Sequence, residues 1–247
     1  MMRKAVMAAA MAAAVLATGG ASLPDKASQS DRLIFADRDL AGAAAKAPLA
    51  WRLVREGKAA AGFAPLADGL LSVVPVTDPD GGDPMLEMRE TASGTERVVG
   101  RYPANGMDPV LVYFLESATR NVSALAGGNP DYIRNRFKDA MRKGGEVGAA
   151  PAVGATEASG ATGAAPADGG TKGDSSATGS APEGSATQGS AQRVTLRPLA
   201  GDPNAARMRG FDALSLTIDL APDPSLPIAA LAATAPGYAL RLTRVAP

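Results

Sequence analysis

The feature that most restricts this chain is a pair of helix-start devices, Asp108-Pro109 and Asn129-Pro130, with Gly127-Gly128 before the second and Gly144 beyond it. Proline at a first helical position loses no hydrogen bond, and the residue before it accepts from the orphan amides. Glycine supplies the positive φ that commonly ends a helix. Together they predict two helices joined by a corner of about three residues. In the first, Leu111, Leu115, Ala118, Val122 and Leu125 recur at i, i+4, i+7, i+11 and i+14, with Phe114 beside them, which is the period of one buried face. In the second, Ile133, Phe137, Ala140 and Met141 make the apolar stripe, and Arg134, Lys138 and Arg142 form a basic row one turn apart. Helices joined so closely are expected to lie side by side, with Phe114, Leu115 and Phe137 facing Trp51, Leu214 and Ile218.

Residues 145–191 hold glycine, alanine, serine, threonine and a few charged groups, with no aromatic residue and no leucine, isoleucine or methionine. Such a stretch cannot bury enough apolar surface to offset its ordering entropy. It is expected to be a disordered insert within one domain, because the segments on either side read as incomplete halves of one sheet; a boundary between two domains is the alternative.

At the start, Arg3-Lys4 and an apolar run of about twelve residues from Ala5 to Leu16 make a stretch too short to span a bilayer. Gly19 and Ala21 suit the −3 and −1 positions of a signal peptidase site. The expectation is a leader over 1–21, cleavage near Ala21/Ser22, and a periplasmic or secreted product that does not span the membrane once the leader is removed. Residues 22–48, polar and alanine-rich around Leu33-Ile34-Phe35, read as a flexible tether with a local foothold.

Removing leader and insert leaves roughly 180 residues, enough for one medium domain over 49–144 and 192–247. The 25 basic and 25 acidic side chains balance, so the total offers nucleic acid no electrostatic footprint. There is no cysteine, so packing rather than disulfides must hold the fold, and no histidine, which removes the commonest base near neutral pH and the usual zinc or haem ligands.

Within the domain, Leu49 to Arg55 alternates Leu49, Trp51 and Leu53 against Ala50, Arg52 and Val54, the period of a half-buried strand. Leu70 to Val76, Met85 to Glu90 and Glu96 to Tyr102 follow across turns at 78–82 and Ser93-Gly94. Beyond the insert, Arg193 to Leu199 resumes the alternation, Asp202-Pro203 starts a short helix ending near Gly210, and Phe211 to Leu220 turns Leu214, Leu216, Ile218 and Leu220 inward. Tyr238 to Thr243 is the last, making about seven strands. Four strands, a helical hairpin and three strands without βαβ spacing predict an α+β domain: an antiparallel sheet packed on one face by the two-helix hairpin.

The run FLE at 114–116 and then GGNPDYIRNR at 127–136 resembles a signature of uncharacterised exported bacterial proteins, over about forty residues of the chain. That resemblance implies export and brings no activity. The helix-covered sheet is also similar, at the level of fold, to periplasmic lipoprotein carriers, whose concave side holds acyl chains.

Sharper motifs have plainer explanations. Asp78, Asp80 and Asp83 carry oxygens at calcium-loop spacings, but the closing glutamate is missing and a Pro-Asp-Gly-Gly turn accounts for each residue. Glu116 and Arg120 read as a surface i, i+4 pair. Asn121-Val122-Ser123 fits a glycosylation sequon inside a predicted helix, and Trp51 reads as core. No nucleophile and base stand at a telling spacing. The leading expectation is a noncatalytic periplasmic protein acting through surface or groove contacts, without a cofactor or metal. A carrier of lipid or another apolar ligand is the alternative, and an enzyme of unknown class a third. The expected partner is an envelope protein or lipid, and the candidate contact face is Arg134, Lys138 and Arg142.

Overall fold

The computed structural model describes residues 28–78, 81–151, 190–223 and 225–245. The leader with its cleavage position, Asp80, and most of the insert lie outside the described residues. Two short helices, α1 (Gln29–Ile34) and α2 (Leu40–Lys46), precede four strands, β1 (Leu49–Glu56), β2 (Leu66–Thr77), β3 (Pro84–Ala92) and β4 (Thr95–Pro103). The helices α3 (Pro109–Ala126) and α4 (Pro130–Lys143) follow, then β5 (Glu146–Ala149), β6 (Gln192–Leu196), β7 (Ser215–Leu220), β8 (Ala230–Ala235) and β9 (Tyr238–Arg244). All nine strands join one sheet in the order β4-β3-β2-β1-β9-β8-β7-β6-β5, and every pairing is antiparallel. The class is therefore α+β, with nine strands among the described residues rather than about seven.

The hairpin forms as its caps dictate. Asp108 accepts from the amides of Val110 and Leu111, and Asn129 from that of Asp131. Gly127 takes φ 75°, a left-handed value that glycine adopts without strain. Phe114 and Phe137 are 0% and 2% exposed in one continuous core with Trp51, Leu214 and Ile218. Leu115 and Leu125, expected on the buried face, are half-buried at its flank, and Thr119 and Asn121 are buried instead. The Trp51 indole donates to the Ile228 carbonyl at 2.9 Å, so its one polar group is satisfied inside the core.

Cross-strand register assembles that core. Val194, Ile218, Leu231, Leu242 and Leu53 stand side by side across β6, β7, β8, β9 and β1, all under the hairpin. The other face of the sheet carries cross-strand ion pairs. There Glu87 opposes Arg101 and Arg193 opposes Asp219, each an ion pair of about the length expected for charge-assisted bonds, 2.8 Å and 2.6 Å. Arg101 and Arg89 hold the Glu87 carboxyl below the usual range by hydrogen bonding.

The segment read as a tether over 22–48 forms two short helices, α1 and α2, within its described residues 28–48. Ser28 and Asp31 form a capping box on α1. Arg38 then donates to the carbonyls of Leu33, Ile34 and Ala36, which closes α1 and buries the guanidinium. Ile34 and Leu40 join the core, and Ser30 accepts from the Gly145 amide at 2.9 Å, tying α1 to the end of α4. Helices of this length are marginal in isolation, so only these distant contacts make them.

Two strands escaped the pattern. β8 is Ala-Leu-Ala-Ala-Thr-Ala, a composition depleted in strands, and it holds its place because Leu231 fills the gap between Ile218 and Leu242. β5 lies at the start of the segment read as a disordered insert; it pairs with β6 from Glu146↔Thr195 to Ala149↔Gln192, and the Ala150 amide donates to the Ala191 carbonyl. The two ends of the insert therefore meet at the tip of a hairpin. The strand expected from Phe211 begins only at Ser215, because Gly210 at φ 89° turns the chain and sends the Phe211 ring onto Tyr238, 5.4 Å between centroids. The helix expected after Asp202 is a single 3₁₀ turn, Ala205–Arg207.

Candidate functional site

The alternation that carries Leu86 and Met88 inward on β3 carries Glu90 inward as well, and the alternation Leu49, Trp51, Leu53 on β1 ends in Arg55. A charge at an inward register position needs partners. Glu90 is 1% exposed, and it accepts from Arg97 Nη2 at 2.8 Å, Tyr113 Oη at 3.0 Å and Arg55 Nη2 at 3.4 Å. Arg97 stands directly opposite on β4, Arg55 reaches over from β1, and Tyr113 comes down from α3. Three elements thus meet on one carboxylate.

Around it lies a cleft of about 440 Å³ between the β3–β4 hairpin and α3, lined among others by Val99, Tyr102, Val112, Ser117 and Arg120. Gly100 makes room for Tyr102: a Cβ there would come within 2.7 Å of its ring. Burial, and then the neighbouring Glu90 charge, push the Tyr113 phenol up to about 12, so at neutral pH it is a hydrogen-bond donor. Burial also raises Tyr102, aided by Glu116 and opposed by Arg120. Glu116 is not the partner of Arg120 that its spacing suggested. It is gripped across the hairpin by Arg134, Nε to Oε1 at 2.9 Å and Nη2 to Oε2 at 3.1 Å, and these bonds hold its carboxyl below the usual range. Arg120 is left exposed at the mouth, without a hydrogen bond or ion pair among the described residues.

The basic row on α4 is largely occupied within the molecule. Arg134 also pairs with Asp131, and Arg142 with Asp139 at 3.1 Å; Lys138 stands exposed between them. The structure thus places all three on one helix face but draws Arg134 toward α3. Arg136, off that row, lies 2.8 Å from Asp202, whose carboxylate also accepts from Tyr132 at 2.7 and 2.9 Å and from the Asn204 amide. This network pins α4 to the loop before β7.

A second cleft, about 340 Å³, opens between α1, α2 and the start of α3, with Phe35 and Met107 at its rim and Arg38 and Asp108 beneath. Asp108 Oδ2 is buried there without a hydrogen bond, and burial raises its carboxyl above the usual range. Both polar groups serve helix ends.

Asn121 is buried and donates to Tyr238 Oη at 3.3 Å. No described helix is long and apolar enough to cross a membrane, and among the described residues no cluster of three or more acidic groups is placed to hold a metal ion. The sheet face beneath the hairpin, where an acyl carrier would keep its ligand, is filled by the protein's own side chains.

Of the cleft residues, sequence patterns touched only Glu116 and Arg120, read as a surface pair, and Asn121, read within a sequon, yet one further signal was present: a glutamate and an arginine falling on the inward phase of otherwise apolar strands. Comparison with known proteins finds no matching family model and no similar curated relative.

Proposed function

We propose that this chain is an exported, noncatalytic protein that acts by binding a ligand in the cleft between the β3–β4 hairpin and α3. One observation carries the reading: Arg55 and Arg97 converge on Glu90, and Arg120 lines the same partly enclosed space, whose walls include two tyrosines and three valines. Convergent polar groups in a concave, partly apolar pocket are the usual make-up of a ligand site. The positively charged leader and its small-residue end support export, and the packed face beneath the hairpin favours groove contacts over an enclosed apolar carrier.

Amide chemical shifts of the isotope-labelled mature protein, titrated with a panel of small polar and apolar molecules, test this. Saturable shifts gathered on Val99, Tyr102, Tyr113 and Ser117 are expected. Shifts gathered instead on Lys138 and Arg142 would move the contact surface to α4, and none with any molecule would remove the cleft from consideration. Export is checked separately, by an intact mass corresponding to a chain that starts near Ser22.

A further inference from the structure

The charges around the cleft do not cancel locally. Glu90 is shared by Arg55 and Arg97, and Glu116, the other carboxylate in the lining, is held from outside by Arg134. Three guanidiniums therefore face one available carboxylate. Arg97 spends Nη2 on Glu90, yet its side chain is 66% exposed, leaving further N–H groups toward solvent. The Arg55 Nε is buried without a hydrogen-bond partner. A guanidinium presents a planar fork of donors that suits a carboxylate or phosphate oxygen pair, whereas the Tyr113 hydroxyl already donates its hydrogen bond to Glu90. Beside these donors, Val99, Val112 and Tyr102 offer an apolar wall.

We propose that the cleft takes a small organic oxyanion, a carboxylate or phosphate on an apolar or aromatic body, with Arg120 and the solvent-facing side of Arg97 holding the charged group and the Val99, Val112 and Tyr102 wall holding the body. This rests on the reading of the cleft as the binding site. Glu90 is then a positioning residue: it holds Arg97 and Arg55 in place and leaves Arg120 free to close on the ligand. The role differs from that of the α4 row, where Arg134 and Arg142 are each matched to a carboxylate of their own.

The test compares phenylacetate and phenyl phosphate with phenylacetamide, the neutral counterpart, by amide shifts in the mature protein at low and high salt. Both anions should saturate at Val99, Tyr102, Tyr113 and Arg120, bind at least tenfold more tightly than the amide, and weaken as salt rises. Arg120→Gln should lower their affinity tenfold or more while leaving the melting temperature unchanged, since Arg120 is exposed and makes no ion pair among the described residues. Lys138→Gln should change neither. Equal binding of the neutral amide at the same residues would overturn the anion assignment and leave the cleft as a binding site. Anion shifts scattered over surface arginines without saturation, or no shifts in the cleft, would overturn both.

Discussion

The two ends of the sheet, under the same helix, are finished in opposite ways. Across β6, β7, β8, β9 and β1 the row Val194, Ile218, Leu231, Leu242, Leu53 is apolar throughout and dry. The neighbouring row toward the other edge runs Trp51, Leu71, Glu90, Arg97, so it leaves the core as an ion pair and reaches water as a guanidinium. Helix α3 serves both: Phe114 and Val122 face the dry row, while Tyr113, Glu116 and Arg120 wall the cleft. One helix can do this because its buried face is narrower than the helix, and the flank is available for another purpose. The difference teaches that the sealed core and the cleft are separated along the strand order rather than by domain. It also explains the edge. β4 would be an open template for pairing, and it carries Glu96, Arg97 and Arg101, an extra residue, Val99, where the register shifts opposite Met88/Arg89, and Pro103 at its end. Charges, a bulge and a proline all discourage another strand from adding there.

The comparison is broken most directly from the dry side. Phe114→Ala removes a fully buried ring and should cost about 3 to 5 kcal/mol, whereas Val98→Ala at the exposed edge should stay within about 0.5 kcal/mol. Urea midpoints measure both, and a Phe114 variant as stable as the parent would mean the hairpin does not seal the core.

The tyrosines sharpen it next. Tyr113 at the back of the cleft and Tyr238 in the core are both pushed up to about 12, each chiefly by burial. An unfolded phenol ionises near 10, so the unfolded chain loses its protons first as pH rises. Stability from each group is therefore intact below about pH 10 and falls by about 1.4 kcal/mol per pH unit up to about 12, roughly 3 kcal/mol apiece. Difference absorbance near 295 nm should show Tyr113 and Tyr238 titrating late, alongside the smaller rise at Tyr102. Glu90→Gln should bring Tyr113 down, because the charge that raises it is lost, and leave Tyr238 where it is. A shift of both would show that the two ends are coupled rather than separate.

The smallest effect concerns the far edge. The ends of the insert meet at the β5–β6 hairpin, so replacing about 40 residues by a turn of about four should reduce the loop-closure cost by (3/2)RT ln 10, roughly 2 kcal/mol. Thermal unfolding should shift upward with the amide shifts of the cleft unchanged. Cleft shifts that move with the deletion would join the two ends again.

Local chemistry determined part of this protein from sequence alone. The limits of α3 and α4 follow from proline, a capping carboxylate or amide, and glycine, all within a few residues of the ends they set. The strands of β1 to β4 follow from alternation between turn residues, and Trp51 could be placed in the core by its phase. Tertiary structure alone decided what depends on residues far apart in the chain. α1 and α2 exist because Arg38 finds three carbonyls and Ile34 and Leu40 find the core. An alanine-rich stretch becomes β8 because its neighbours leave a strand-shaped gap. Glu90 and Arg55 look like breaks in two separate apolar patterns; only the pairing of β1, β2, β3 and β4 beneath α3 brings them together, where desolvation makes each charge require the other.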